Sequence, residues 1–139
     1  MKEFVCRSLD DTKEAAKYFA TFAKAGQCFA LTGDLGSGKT TFSQFLIQTL
    51  MPSVKYVSSP TFTIVQTYNS ENQTEIWHVD CYRLKDREEF FELGLQEAFE
   101  TCITIIEWPK IIDEFLPQNT IKITFSVNKS GDRLISSNK

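Results

Sequence analysis

Gly33-Asp34-Leu35-Gly36-Ser37-Gly38-Lys39-Thr40 is the stretch on which the reading of this chain turns. It satisfies the phosphate-binding loop pattern G-x-x-x-x-G-K-[ST] at every required position. The apolar run Cys28-Phe29-Ala30-Leu31 precedes it, and Phe42, Phe45, Leu46 and Leu50 follow at helical spacing. A strand, a loop and a helix are the context in which the pattern works. Its glycines let the backbone turn tightly and bring N–H groups against phosphate oxygens. The first turn of the helix adds its positive dipole end. In such a loop Lys39 reaches the β- and γ-phosphates of a nucleotide, and the Thr40 hydroxyl ligates Mg²⁺.

Working outward, the chain has 139 residues, 42% hydrophobic and 24% charged, ordinary values for a globular chain. One domain spanning residues 1–139, with a core of its own, is expected; no linker or repeat divides it. Twelve phenylalanines point to an aromatic-rich core. A net charge of −3 argues against a broad nucleic-acid-binding face. Cys6, Cys28, Cys81 and Cys102 are far apart and form no C-x-x-C pair. That is the usage of reduced, packed thiols in a cytoplasmic protein. The one histidine, His78, argues against a histidine-rich zinc site. No secretory signal or membrane-spanning stretch is visible, so no membrane association is expected.

In chain order, residues 3–7 read as a short strand. Ser8 with Asp11 three residues on reads as a helix start. Ala15, Ala16, Phe19, Phe22 and Ala23 continue the helical spacing towards a stop at Gly26. The phosphate-loop helix ends at Met51-Pro52. Extended runs from Phe62 to Tyr68 and from Glu75 to Cys81 form an antiparallel hairpin across the polar stretch Asn69–Gln73. Period two places Ile76, His78 and Asp80 on one face of the second run. Asp86 with Glu89 opens a helix that Gly94 interrupts. Ile103-Thr104-Ile105-Ile106 is a buried strand closed by Glu107-Trp108-Pro109, and a short helix over Ile111–Leu116 follows it. Ile121, Ile123, Phe125 and Val127 alternate as a strand, and a turn leads to a last strand around Arg133–Ile135. Residues 136–139 are expected to fray.

A phosphate loop says that a triphosphate binds, not what is done with it. Turnover needs a metal-side acid and a group that positions the attacking atom. Glu107 closes a buried strand, and parallel strands carry their active groups at the carboxyl end. Asp80 shares a face with His78 at the end of another extended run and competes with Glu107 for that role. Arg83 can meet a phosphate or a partner. Ser58-Ser59-Pro60-Thr61-Phe62 lies where related nucleotidases keep a switch segment, whose threonine touches Mg²⁺ or the γ-phosphate. An ordinary Ser/Pro turn would read the same way. For His78 and Trp108, packing is the plainer reading.

Taken together, the phosphate loop through Thr41, Ser59-Pro60-Thr61-Phe62, His78-Val79-Asp80-Cys81-Tyr82-Arg83-Leu84 and Glu107-Trp108-Pro109 resemble the TsaE family in order and spacing. The likeness runs from about Ser8 to Arg133. These are small bacterial ATPases of tRNA threonylcarbamoyladenosine biosynthesis. The resemblance implies an α/β fold: a three-layer P-loop NTPase-like domain with a mixed, largely parallel central sheet. It implies ATP and Mg²⁺ as cofactors, weak hydrolysis by the chain alone, and a TsaB–TsaD heterodimer as partner, with tRNA the substrate of that assembly. Carried over by position, Gly36, Ser37, Gly38, Lys39, Thr40 and Thr41 are the phosphate cradle, opened by Gly33 and Asp34. Thr40 is a metal ligand, and Glu107 is raised above Asp80 as the second metal-side acid. Thr61 falls in the switch-like segment. Asp80 and Trp108 match positions that matter for activity or assembly, and Tyr82 and Arg83 are read as partner-facing or structural. Ser8 to Thr12 corresponds to a turn near the base, which makes Thr12 a nucleotide contact. Cys81 departs from the family's usual aliphatic residue.

The same loop also serves small-molecule and nucleotide kinases. Those carry an acceptor-binding insert and an arginine-bearing lid, and no stretch here is obviously free to form one. A guanine-reading Asn/Thr-Lys-x-Asp motif is not found, which sets the GTPase reading aside.

Overall fold

The structure, a computed structural model, describes residues 1–60, 64–70 and 73–139. Thr61 and Phe62 of the switch-like segment lie outside the described residues. Strand β1 (Lys2–Cys6) leads into helix α1 (Leu9–Ala20), whose start follows from its cap. The Ser8 hydroxyl accepts from the Asp11 N–H at 3.2 Å, and the Asp11 carboxylate reaches back to the Arg7 N–H at 2.9 Å. The helix stops at Ala20 rather than near Gly26. Thr21 diverts its hydroxyl to the Tyr18 carbonyl at 2.6 Å, and the N–H groups of Phe22 and Ala23 bond three residues back. Those tighter turns end the α-helical ladder early.

Next come β2 (Cys28–Thr32), α2 (Lys39–Leu50), β3 (Val65–Ser70) and β4 (Gln73–Asp80). The hairpin is antiparallel as expected, but its strands run further into the polar stretch, with Ser70 paired to Gln73. Asp86 caps α3 (Arg87–Glu92) by accepting from the Glu89 N–H at 3.1 Å. Gly94, with φ at +79°, turns the chain into α4 (Leu95–Thr101). Strand β5 (Ile103–Glu107) follows, then a 3₁₀ helix over Pro109–Phe115 where an ordinary short helix was expected from Ile111. Proline at its first position supplies a preset φ without wasting an N–H. Strands β6 (Ile121–Val127) and β7 (Arg133–Ser137) complete the chain.

The strands form one mixed sheet in the order β1-β7-β6-β2-β5-β4-β3. Its centre, β6-β2-β5-β4, is parallel, and β1, β7 and β3 pair antiparallel at the flanks. The fraying expected over residues 136–139 is corrected: β7 lies between β1 and β6, with Ser137 opposite both Lys2 and Ile123. Asn138 then exchanges two hydrogen bonds with the Lys122 backbone, at 3.2 and 2.9 Å. Strand pairing on both sides outweighs the entropy of a free end.

One face of the sheet packs on α1 and α2 through Phe29, Leu31, Ile105, Ile123 and Phe125. There Phe19, Phe42 and Phe125 meet edge to face at 5.7 and 5.3 Å, each buried ring contributing about 1.5–3 kcal/mol. The other face packs Cys28, Val79 and Ile106 on α3, α4 and the 3₁₀ helix through Phe90, Leu95, Phe99 and Ile112. Three layers result. Among the described residues, no helix is long and apolar enough to cross a membrane.

Candidate functional site

Parallel pairing of β2, β5 and β4 brings their carboxyl ends to one edge of the sheet. The register sets Leu31 opposite Glu107, and Glu107 opposite Asp80. The Gly33–Thr40 loop leaves β2 at that same edge. Two positive φ angles shape it, +79° at Gly36 and +105° at Gly38, where a side chain would be strained. Gly33 is required for a different reason. A Cβ there would lie 2.5 Å from the Phe125 carbonyl oxygen and 2.8 Å from Ser37 Oγ.

Glu107 and Lys39 sit at the base of the loop. The Thr40 hydroxyl donates to Glu107 Oε1 at 2.8 Å. Glu107 Oε2 lies 2.6 Å from His78 Nε2, and both side chains are buried. The Lys39 ammonium donates to the carbonyls of Gly33 and Asp34 at 2.5 and 3.0 Å. It also lies 3.9 Å from the centre of the Trp108 ring, a cation–π contact. Burial lowers the Lys39 pKa, against the opposing pull of the Glu107, Asp34 and Asp80 carboxylates.

Asp80 is buried at the end of β4, and its Oδ1 accepts from the Tyr82 N–H at 2.8 Å. Its own N–H donates to the Ile64 carbonyl at 2.8 Å. Tyr82, half exposed, packs on Trp108 with ring centres 4.8 Å apart. Trp108 and Ile64 both hold φ in the left-handed region, at 58° and 68°. That conformation costs a β-branched or bulky residue about 1–3 kcal/mol. For Trp108 it swings the chain off β5 at once and lays the indole over Lys39.

The resulting cleft, about 260 Å³, is lined by Gly36, Gly38, Lys39, Thr40, Thr41, Asp80, Tyr82, Arg83, Glu107 and Trp108 with Leu35. The folded chain therefore gathers most of the site residues read from sequence. Thr12 is not among the lining residues. It lies buried in the first turn of α1, its hydroxyl directed to the Ser8 carbonyl.

A residue that braces the loop escaped the sequence reading. Arg133, at the start of β7, donates from Nη1 to the Gly36 carbonyl at 2.6 Å, and its side chain lies against Gly38. No local pattern marks it, because the contact joins residues far apart in the chain.

The family model described as "Threonylcarbamoyl adenosine biosynthesis protein TsaE" matches residues 6–135. This chain belongs to the TsaE family. It is 40% identical to the tRNA threonylcarbamoyladenosine biosynthesis protein TsaE of Rickettsia bellii over 130 residues, covering 94% of this chain and 90% of that one. Identity to the Bacillus subtilis protein of the same description is 39% over 135 residues, covering 95% and 82%. Among solved structures, Bacillus subtilis YdiB superposes with a TM-score of 0.76 at 30% identity, covering 98% of this chain and 83% of that one. The TsaE likeness thus takes in the phosphate loop, the His78–Arg83 stretch and Glu107 together.

Proposed function

We propose that this TsaE-family chain is a Mg²⁺-dependent ATPase serving tRNA threonylcarbamoyladenosine biosynthesis through a TsaB–TsaD-like complex. The observation that carries the ATPase reading is the Thr40–Glu107 pair at the foot of the phosphate loop. A hydroxyl and a carboxylate from different elements converge there at 2.8 Å. Oxygen donors of this kind suit a hard divalent cation. Among the described residues, no three His, Cys, Asp or Glu side chains converge into a metal cluster. Mg²⁺ is commonly held by one or two protein oxygens plus substrate phosphates, so this sparse set fits it.

The cradle fits a polyphosphate on two further counts. Ser37 Oγ is buried with no hydrogen-bond partner among the described residues, an orphan that a phosphate oxygen would satisfy. The space above Gly36 is open, with nothing within 4 Å of where a Cβ would stand. In this reading Thr40 and Glu107 hold Mg²⁺, which when bound neutralises charge on the β- and γ-phosphates. Lys39 exchanges its loop carbonyls and the Trp108 face for the γ-phosphate. Asp80 orients water or the metal's outer shell from the next strand. Thr61 belongs to the switch role. Tyr82, Arg83 and Trp108 stand at the rim, where a partner protein can read the bound state. tRNA is then the substrate of the assembly rather than of this chain, in keeping with its net charge of −3, and the compartment is the cytoplasm.

The kinase alternative asks for arginines free to close over a transferred phosphoryl group. Arg7 is engaged with Asp132, Arg87 with Glu114 and Arg133 with Gly36. The test is reconstitution of tRNA modification with TsaB- and TsaD-like proteins, with and without this chain and ATP. Modification over many turnovers is expected to require both. Modification that proceeds equally without the chain would refute the proposal.

A further inference from the structure

His78 occupies a costly position. It is fully buried on β4, on the same sheet face as Ile76, which with Ile105 belongs to the apolar core there. An aliphatic side chain would pack in such a place without any polar atom to satisfy. Its Nε2 is 2.6 Å from Glu107 Oε2, and its Nδ1 has no hydrogen-bond partner among the described residues. Two bare lone pairs do not approach so closely, so a proton lies between them. The contact is therefore a hydrogen bond, and Glu107 accepts from Thr40 through its other oxygen.

Both Glu107 oxygens are thereby claimed, one by β4 and one by α2. Without the histidine the carboxylate would be free to rotate about its last bond. We propose that His78 is a positioning residue that holds Glu107 with one oxygen facing the Thr40 cation site, as outer-shell partners of metal ligands do. The inference rests on the ATP-site reading above.

The experiment is calorimetric titration of a non-hydrolysable ATP analogue at graded Mg²⁺, on the full chain and on His78→Asn and His78→Gln. The Gln amide nitrogen stands as many bonds from Cα as Nε2 does, and the Asn amide stands one bond short. His78→Asn is expected to raise the Mg²⁺ needed for half-maximal tightening about tenfold, with Mg²⁺-free affinity held within about twofold. His78→Gln is expected to restore the parent requirement to within about threefold. In a Glu107→Ala chain, His78→Asn should add no further Mg²⁺ requirement. An equal shift for Asn and Gln, a matching loss of Mg²⁺-free binding, or an added effect without Glu107 would each overturn the proposal. A parent chain that binds no nucleotide at all overturns the ATP-site reading itself, so the two failures are distinct.

Discussion

Two glycines of the phosphate loop fail in different ways when given a side chain. At Gly33 a Cβ would meet backbone, the Phe125 carbonyl oxygen at 2.5 Å, and backbone does not step aside as a flexible side chain does. At Gly36 a Cβ meets nothing, and only φ at +79° opposes it, a cost of about 1–2 kcal/mol. Gly33→Ala is therefore expected to lower the melting temperature more than Gly36→Ala, by thermal unfolding of the two chains. The reverse order would mean that the loop does not sit against β6 as described. At the same scale, Lys39→Ala is expected to abolish tight ATP binding. Glu107→Ala should retain binding in calorimetry while losing at least about 99% of turnover, about 2.7 kcal/mol in the barrier. Normal hydrolysis by Glu107→Ala would pass the metal-side role to Asp80.

At the scale of elements, the last strand shapes the first motif. β7 is inserted between β1 and β6, and that insertion delivers Arg133 to the Gly36 carbonyl. The contact is exposed, so its worth is modest, but it straps the crest of the loop to the rigid sheet. Arg133→Ala is expected to weaken nucleotide binding about fivefold, roughly 1 kcal/mol, in the same calorimetric titration. Unchanged affinity would show that the loop keeps its shape without the strap. Capping supplies the contrasting case. Ser8 and Asp86 announce their helices through residues only three positions away, so the starts of α1 and α3 are readable locally. The end of α1 is not, because Thr21 competes with the helical ladder through a hydroxyl whose choice depends on its surroundings.

Across the whole molecule, the two packed layers leave their mark on the cysteines. All four are free and buried. Burial at the sheet centre pushes the Cys28 thiol up to about 11, and burial followed by the Asp80 charge pushes Cys81 up to about 12, from the ordinary value of 9.0. A folded-state pKa above the unfolded one means that the native state holds its proton longer. The associated stability is intact below about pH 9 and is lost as pH rises towards 11 and 12. The slope is roughly 1 kcal/mol per pH unit for each thiol. Denaturant midpoints at pH 8 and pH 10.5 should differ, and Cys81→Ala should reduce the difference; an undiminished difference would assign it to other groups.

What the amino-acid sequence determined alone is whatever lies within a few residues along the chain. The phosphate loop with its flanking strand and helix, the caps at Ser8 and Asp86, the break at Gly94 and the shared face of Ile76, His78 and Asp80 are all of this kind. Their causes are local φ/ψ restriction and the periods of helix and strand. The pairings at the site belong to tertiary structure. Glu107 meets Thr40 and His78 because burial on both sheet faces sets β5 between β2 and β4 in one register. Lys39 meets the Trp108 ring because the chain turns left-handed on leaving β5. The tail is ordered, and Arg133 reaches Gly36, because β7 finds partners on both sides. Each of these joins residues distant in sequence, and only the closing of the sheet made them neighbours.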